Sequence, residues 1–372
     1  MSSTVLTPAA QNGQRAPRDL SKDVFLMDLP VPPDQAWIDR LEARYPGFRV
    51  RWVSKAWEFT AGPFTPGQFE GITMMCSFIP QPAELLPNIS YIQLTSAGAD
   101  KWLSHPLYQD PNITFCTSNG THPPQIAEWV IGSWLMMGHH FLDYANQQRQ
   151  GSQIRPRPGD VRQVYDAPGM RMGILGYGAI GRQVARLGQA LGMEVFAYTR
   201  TERTTAEARR DDSYCVPGTG DPDGLIPARW FHGSSREAVN EFLAQDFDLL
   251  VVSLPLTAAT RRILGREQFE ILAAHKKPFV SNIARGSHID TDAIIDALTT
   301  GKIRGAALDV TDPEPLPDGH PLYSAPNLFV TPHVSWQSPH YFERVQGIIE
   351  RNLESLSTGQ PMINVMNREH HY

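Results

Sequence analysis

Three residues late in this chain could together move a proton beside an anionic substrate: Arg285, Glu314 and His333. Each follows an apolar run. Arg285 lies in Ser281-Asn-Ile-Ala-Arg-Gly286, Glu314 follows Ala307-Leu-Asp-Val-Thr-Asp-Pro, and His333 lies in Val330-Thr-Pro-His-Val-Ser-Trp336. Imidazole titrates near neutral pH, so His333 is suited to give a proton to a nascent alkoxide. A carboxylate on its other ring nitrogen would fix the tautomer and favour the charged ring. A guanidinium forks onto a carboxylate and polarises a carbonyl as negative charge develops. Such a set suits the reduction of a carbonyl beside an anionic group, which needs a hydride as well as a proton. Each residue alone has a plainer reading: a histidine satisfied by backbone, a rim carboxylate between prolines, a cation at a helix entry. Their combination favours chemistry.

A hydride source is implied upstream. The apolar run Met172 to Leu175 feeds into Gly176-Tyr-Gly178-Ala-Ile-Gly181, and a helical pattern follows at once. A GxGxxG carries meaning in that strand-to-helix context. Gly176 permits the tight turn, Gly178 lets backbone approach a pyrophosphate, and Gly181 lets the helix pack close. The amides of Ala179 and Ile180 would then face the phosphates. A second strand, Glu194 to Thr199, completes the βαβ unit. At its end, where an NAD site usually carries an acid, stands Thr199-Arg200-Thr-Glu-Arg203. Arg200 and Arg203, with the Thr199 hydroxyl, suit a 2′-phosphate, so NADP(H) is expected to be preferred over NAD(H).

These sites need elements to hold them. The chain has 372 residues, more than one core usually serves, so two domains are expected. Apolar runs at 172–175, 194–199, 248–254, 278–283, 305–310 and 327–331 alternate with helical patterns, which implies a parallel, doubly wound α/β sheet. Earlier runs at 24–29, 50–53, 72–78, 92–94 and 113–116, with a helix from Pro33 to Arg44, suggest a smaller α/β domain. A long helix starts at Ile126 and continues toward Gln148, 153–169 reads as connector, and an amphipathic helix at 341–356 could return to the first domain. Residues 1–23 read as a flexible tail, 24–140 with 338–372 as the substrate domain, and 141–337 as the dinucleotide domain. The Gly- and Pro-dense stretch 214–231 reads as an ordered surface insertion that buries Trp230 and Phe231.

Composition excludes several classes. A net charge of -6 with no basic stripe argues against nucleic acid and anionic membranes. No apolar run approaches the ~20 residues of a membrane span, and the N-terminus lacks a signal-peptide pattern, so a cytoplasmic protein is expected. Cys76, Cys116 and Cys215 are too scattered for a disulfide framework or zinc site, and no metal is expected.

The five segments Thr95-Ser-Ala-Gly98-Ala-Asp100, the glycine turn, and those of Arg285, Glu314 and His333, in this order, resemble the D-isomer-specific 2-hydroxyacid dehydrogenases, which include glyoxylate and hydroxypyruvate reductases. The resemblance spans about residues 24–365. It implies a Rossmann-type sheet with a smaller flavodoxin-like domain, reduction of a small 2-oxo acid to the D-hydroxy acid, and the roles already argued for Arg285, Glu314 and His333. It further implies substrate-carboxylate contacts from Ser96, Ala97 and Gly98, cofactor contacts from Leu254, Pro255, Ile283, Ala284 and Asp309, and a homodimer using the 126–148 helix. That helix could equally be buried by the core. For Trp336 and Phe78, covering the substrate and ordinary packing are both open. The substrate side chain would be read around 54–60, 77–81 and 336, where Trp57 and Phe59 hint at room for an apolar group. Formate is disfavoured, because formate dehydrogenases of this family carry Gln where Glu314 stands. The competing class is a dinucleotide-sensing, partner-binding protein like the carboxy-terminal binding protein corepressors.

Overall fold

The computed structural model describes residues 16–54, 66–151, 153–155 and 164–369. Trp57 and Phe59, and residues 156–163 of the expected connector, lie outside the described residues. The chain divides into two compact units, Met1–Thr121 with Pro339–Tyr372, and His122–Ser338.

The first unit holds five parallel strands: β1 (Val24–Leu29), β2 (Arg49–Ser54), β3 (Met74–Ser77), β4 (Tyr91–Leu94) and β5 (Thr114–Cys116). Their order, β2-β1-β3-β4-β5, is that of flavodoxin. β3 and β4 are buried along their whole length, as strands covered on both faces must be. The helix Gln35–Arg44 starts where Asp34 accepts the Trp37 amide, and it buries Trp37, Ile38 and Leu41. The last helix, Tyr341–Thr358, belongs to this unit. Its Val345, Ile348, Ile349 and Leu353 are fully buried at i, i+3, i+4 and i+8, each contributing about 1.5–3 kcal/mol before ordering costs. Asn352 on the same face bonds Tyr91, Gln93 and the Ile363 backbone, so its buried amide is satisfied. Residues 16–23, expected as the end of a tail, are packed: Leu20 is buried and Arg18 forks onto Asp23.

The second unit holds seven parallel strands: β6 (Arg171–Leu175), β7 (Glu194–Thr199), β8 (Arg229–His232), β9 (Leu249–Val252), β10 (Phe279–Asn282), β11 (Gly305–Leu308) and β12 (Leu328–Val330). They run β12-β11-β10-β9-β6-β7-β8, a Rossmann order that reverses between β6 and β9. Along β9, Leu250 and Val252 enter one core cluster and Leu249 and Val251 the other. Both faces are therefore covered, which is why these strands read as unbroken apolar runs.

Two expectations need correcting. The stretch read as a surface insertion ends in a true strand, because 229–232 pairs with β7 as the sheet edge and places Trp230 and Phe231 against opposite core clusters. Four residues with Arg and His at the ends offer too little pattern to show this. The long helix is two, Pro123–Gly138 and Phe141–Arg149, separated by His140 in the left-handed region at φ 58. The first packs Ile126, Val130 and Trp134 into the second unit, with which it is grouped, whereas the expected boundary lay near 140.

Candidate active site

The chemistry-bearing residues of the second unit sit past the carboxyl ends of its strands, where ligands bind in open parallel sheets. Arg285 follows β10 by three residues. The buried Asn282 shapes its turn: Oδ1 accepts the Ala284 amide at 3.1 Å, and Nδ2 donates to the Arg285 carbonyl at 2.9 Å. His288, fully buried, reaches the same carbonyl through Nδ1 at 3.1 Å and the Pro255 carbonyl through Nε2 at 3.3 Å. Gly286 allows the next loop to approach, since a Cβ there would lie 2.0 Å from the Thr311 carbonyl. Gly286→Ala is accordingly expected to push this loop from Arg285 and lose most activity, with a fall in melting temperature as the check.

His333 follows β12 in the left-handed region at φ 55, and its amide donates to the Asp309 carbonyl at 2.8 Å. The buried Asp309 carboxylate accepts from the Thr331 hydroxyl at 2.6 Å, from the amides of Val334 and Ser335 at 2.9 and 3.1 Å, and from the Ser335 hydroxyl. Four donors fill its lone-pair sites. Through these four bonds the carboxylate holds the loop of His333. Trp336, for which substrate cover and packing were both open, donates its indole N–H to the His333 carbonyl at 2.8 Å, and Gln125 donates to the Trp336 carbonyl at 2.9 Å.

So held, His333 places Nδ1 2.6 Å from Glu314 Oε1. Among the described residues no hydrogen bond engages its Nε2. Partial burial works against the Glu314 charge, but the hydrogen bond and charge of His333, a backbone bond at Thr311 and the Arg285 guanidinium outweigh it, holding the carboxyl below its usual range. The arrangement is an imidazole with one nitrogen fixed on a carboxylate and the other open, beside a guanidinium.

The glycine turn fits a dinucleotide. Gly176 has φ +100, and a Cβ there would lie 2.5 Å from the Ser253 carbonyl oxygen, at the point where strand order reverses. A Cβ on Gly181 would lie 2.4 Å from the Gly176 carbonyl oxygen. At Gly178 it would meet nothing within 4 Å, so the backbone is open to a ligand there. The helix Ala179–Ala190 has no side-chain cap, which leaves its first amides available to phosphate. At the end of β7, Thr199 donates its hydroxyl to the Thr201 carbonyl at 2.8 Å, Arg203 donates to the Ala208 carbonyl, and Arg200 is exposed. Arg203 therefore braces its own loop. Ile283 and Ala284 point into the core clusters, while Leu254 and Pro255 border the loop that His288 holds. In the first unit, the Ser96 hydroxyl donates to the Gly98 carbonyl at 2.5 Å, which closes the Ser96-Ala97-Gly98 turn, and Lys101 lies 4.3 Å from the Phe78 ring centre.

The model of the D-isomer specific 2-hydroxyacid dehydrogenase NAD binding domain matches residues 131–217 and 229–335, over half of the chain. The chain belongs to this family. A hydroxypyruvate reductase of Blautia hydrogenotrophica is 32% identical over 295 residues, covering 78% of this chain and 83% of its own. A glycerate dehydrogenase of Methylorubrum extorquens is 28% identical over 294 residues, covering 77% and 83%. The crystal structure of a D-isomer specific 2-hydroxyacid dehydrogenase from Xanthobacter autotrophicus Py2, in complex with NADPH and MES, has a TM-score of 0.69 at 26% identity and covers 94% of this chain and 100% of that one. This family member is accordingly an oxidoreductase whose second unit serves a nicotinamide dinucleotide. No helix among the described residues is long and apolar enough to cross a membrane, and none of their His, Cys, Asp and Glu side chains group to hold a metal.

Asn282, Gly286, His288 and the positioning role of Asp309 were not read from the sequence. A polar residue ending an apolar run is the only signal that Asn282 and Asp309 share.

Proposed function

We propose that this dehydrogenase reduces a small 2-oxo acid to the D-2-hydroxy acid, reversibly, and prefers NADP(H). The observation that carries this reading is the 2.6 Å bond from His333 Nδ1 to Glu314, with Nε2 open and Arg285 adjacent. The bound nicotinamide supplies the hydride. His333, its Nδ1 fixed on Glu314, gives the proton from Nε2 to the oxygen that becomes the hydroxyl. Arg285 holds the carboxylate and draws charge onto the carbonyl oxygen. Relatives named for hydroxypyruvate and glycerate support a small polar substrate. Arg200 at the end of β7, with no acid in its place, supports NADPH.

Initial rates with NADPH or NADH, across 2-oxo acids from glyoxylate and hydroxypyruvate to branched and aromatic ones, test both parts. kcat/KM is expected to be roughly tenfold or more higher with NADPH, and Arg200→Ala is expected to erase the difference. Equal efficiency with the two cofactors would sink the preference, and silence on every acid would sink the reaction.

Glu314→Gln probes the pair. Glutamine removes the carboxylate that fixes Nδ1, so kcat for reduction is expected to fall at least ~10-fold. The native carboxyl sits below its usual range, so the Glu314 charge is fully present above the ordinary carboxylate titration and is lost only as pH falls through the lowered value, where kcat/KM is expected to fall with it. An undiminished kcat in Glu314→Gln would show that the carboxylate does not position the proton donor.

A further inference from the structure

The family match omits residues 218–228. These residues nevertheless grip the glycine turn. Asp221, buried and 6% exposed, accepts the Tyr177 hydroxyl at 2.8 Å and the amides of Leu225 and Ile226 at 3.0 and 3.2 Å. Tyr177 stands between Gly176 and Gly178, and the amides of Gly176 and Tyr177 both bond the Tyr198 carbonyl, at 3.1 and 3.2 Å. The helix that follows the turn is held by the same segment. Arg182 donates to the carbonyls of Asp221 and, at 2.7 Å, Arg209; Gln183 accepts the Gly220 amide at 2.6 Å; and Arg186 donates to the Gly220 carbonyl at 3.1 Å. Trp230 at the start of the sheet edge meets the Tyr177 ring edge-on, with ring centres 5.0 Å apart.

We propose that residues 211–226 form a strap that holds the phosphate-binding turn in its cofactor-receiving shape, with Tyr177 and Asp221 as its positioning residues. Glycines at 176 and 178 give the turn the freedom that dinucleotide approach requires, and the same freedom costs order in the free protein. A side chain fixed between them restores that order before cofactor arrives. The fastening is a phenol on a buried carboxylate, a charge-assisted bond stronger than a neutral one. Burial, then the Asp221 charge, push the Tyr177 hydroxyl far above its usual range, so it stays a donor at every working pH. Preorganisation of this kind acts on cofactor affinity and leaves the proton-transfer groups alone. The inference rests on the NAD binding domain and not on the substrate.

Three variants test it: Tyr177→Phe, which removes one oxygen and keeps the ring, Asp221→Asn, which keeps one acceptor oxygen and removes the charge, and Asp221→Ala. Binding of NADPH and of NADH is followed by quenching of protein fluorescence, so a failed cofactor preference is seen separately. Amide hydrogen exchange at 174–182 is measured in the cofactor-free protein. Tyr177→Phe is expected to weaken binding of the better cofactor by roughly three- to tenfold and raise its KM in parallel, with kcat at saturation within about twofold of the parent and faster exchange in the turn. Asp221→Asn should resemble it, and adding Tyr177→Phe to Asp221→Ala should weaken binding no further. Unchanged affinity and exchange in Tyr177→Phe, with or without a lower melting temperature, would overturn the proposal. That variant decides the matter even if Asp221→Ala does not fold.

Discussion

Replacing His333 by Ala is expected to lower kcat for 2-oxo acid reduction by about two to four orders of magnitude while leaving NADPH affinity within a few-fold. The size follows from what is lost. With no imidazole on Glu314, the proton for the nascent alkoxide must come from water, and general acids of this kind contribute in that range. The selectivity follows from place. The glycine turn lies at β6, whereas His333 is held at the end of β12 by Asp309 and Trp336, so cofactor phosphates do not depend on it. Steady-state kinetics beside a fluorescence titration check both parts. Turnover near the parent value would remove His333 from the mechanism; lost affinity for NADPH with little loss of kcat would give it a binding role instead.

Arg285→Lys is expected to raise KM for the 2-oxo acid by about tenfold or more and to lower kcat as well, a combined loss in kcat/KM of roughly two to three orders of magnitude. Lysine keeps the charge. It loses the planar fork that meets a carboxylate with two parallel bonds, and it presents a point charge where the carbonyl oxygen gains negative charge. Arg285 also contributes to holding Glu314 ionised, but the His333 contacts rank above it there, so the Lys variant should keep its pH profile. If kcat/KM survives the exchange within about threefold, bidentate recognition by Arg285 is refuted. Fluorescence binding of NADPH should be indifferent to it.

The regular parts of this fold were legible because their physics is local. A strand such as Leu249–Val252, buried on both faces, reads as an apolar run, and Gly176, Gly178 and Gly181 mark a turn whose backbone needs are severe. Arg285, Glu314 and His333 stood out only as a set, since each alone has a plainer reading and their combination close after such runs favours chemistry. What escaped depends on contacts distant in sequence. β8 becomes a strand only by pairing with β7, and nothing in Arg229–His232 alone demands it. Asp309 could be any strand-end acid until Thr331, Val334 and Ser335 converge on it. Asn282 and His288 hold Arg285 through its carbonyl, a group no side-chain pattern reveals. The stretch before β8 looked like a decoration because Gly and Pro mask its buried carboxylate, Asp221, whose partner lies more than forty residues earlier at Tyr177.

The most direct test of the account is the product formed from hydroxypyruvate and NADPH by the purified protein, followed by cofactor absorbance and by chiral analysis of the glycerate. The account predicts one D-glycerate for each NADPH oxidised, and no such product from His333→Ala on the same timescale. Tight NADPH binding without oxidation on hydroxypyruvate or glyoxylate, or formation of the L product, would contradict it.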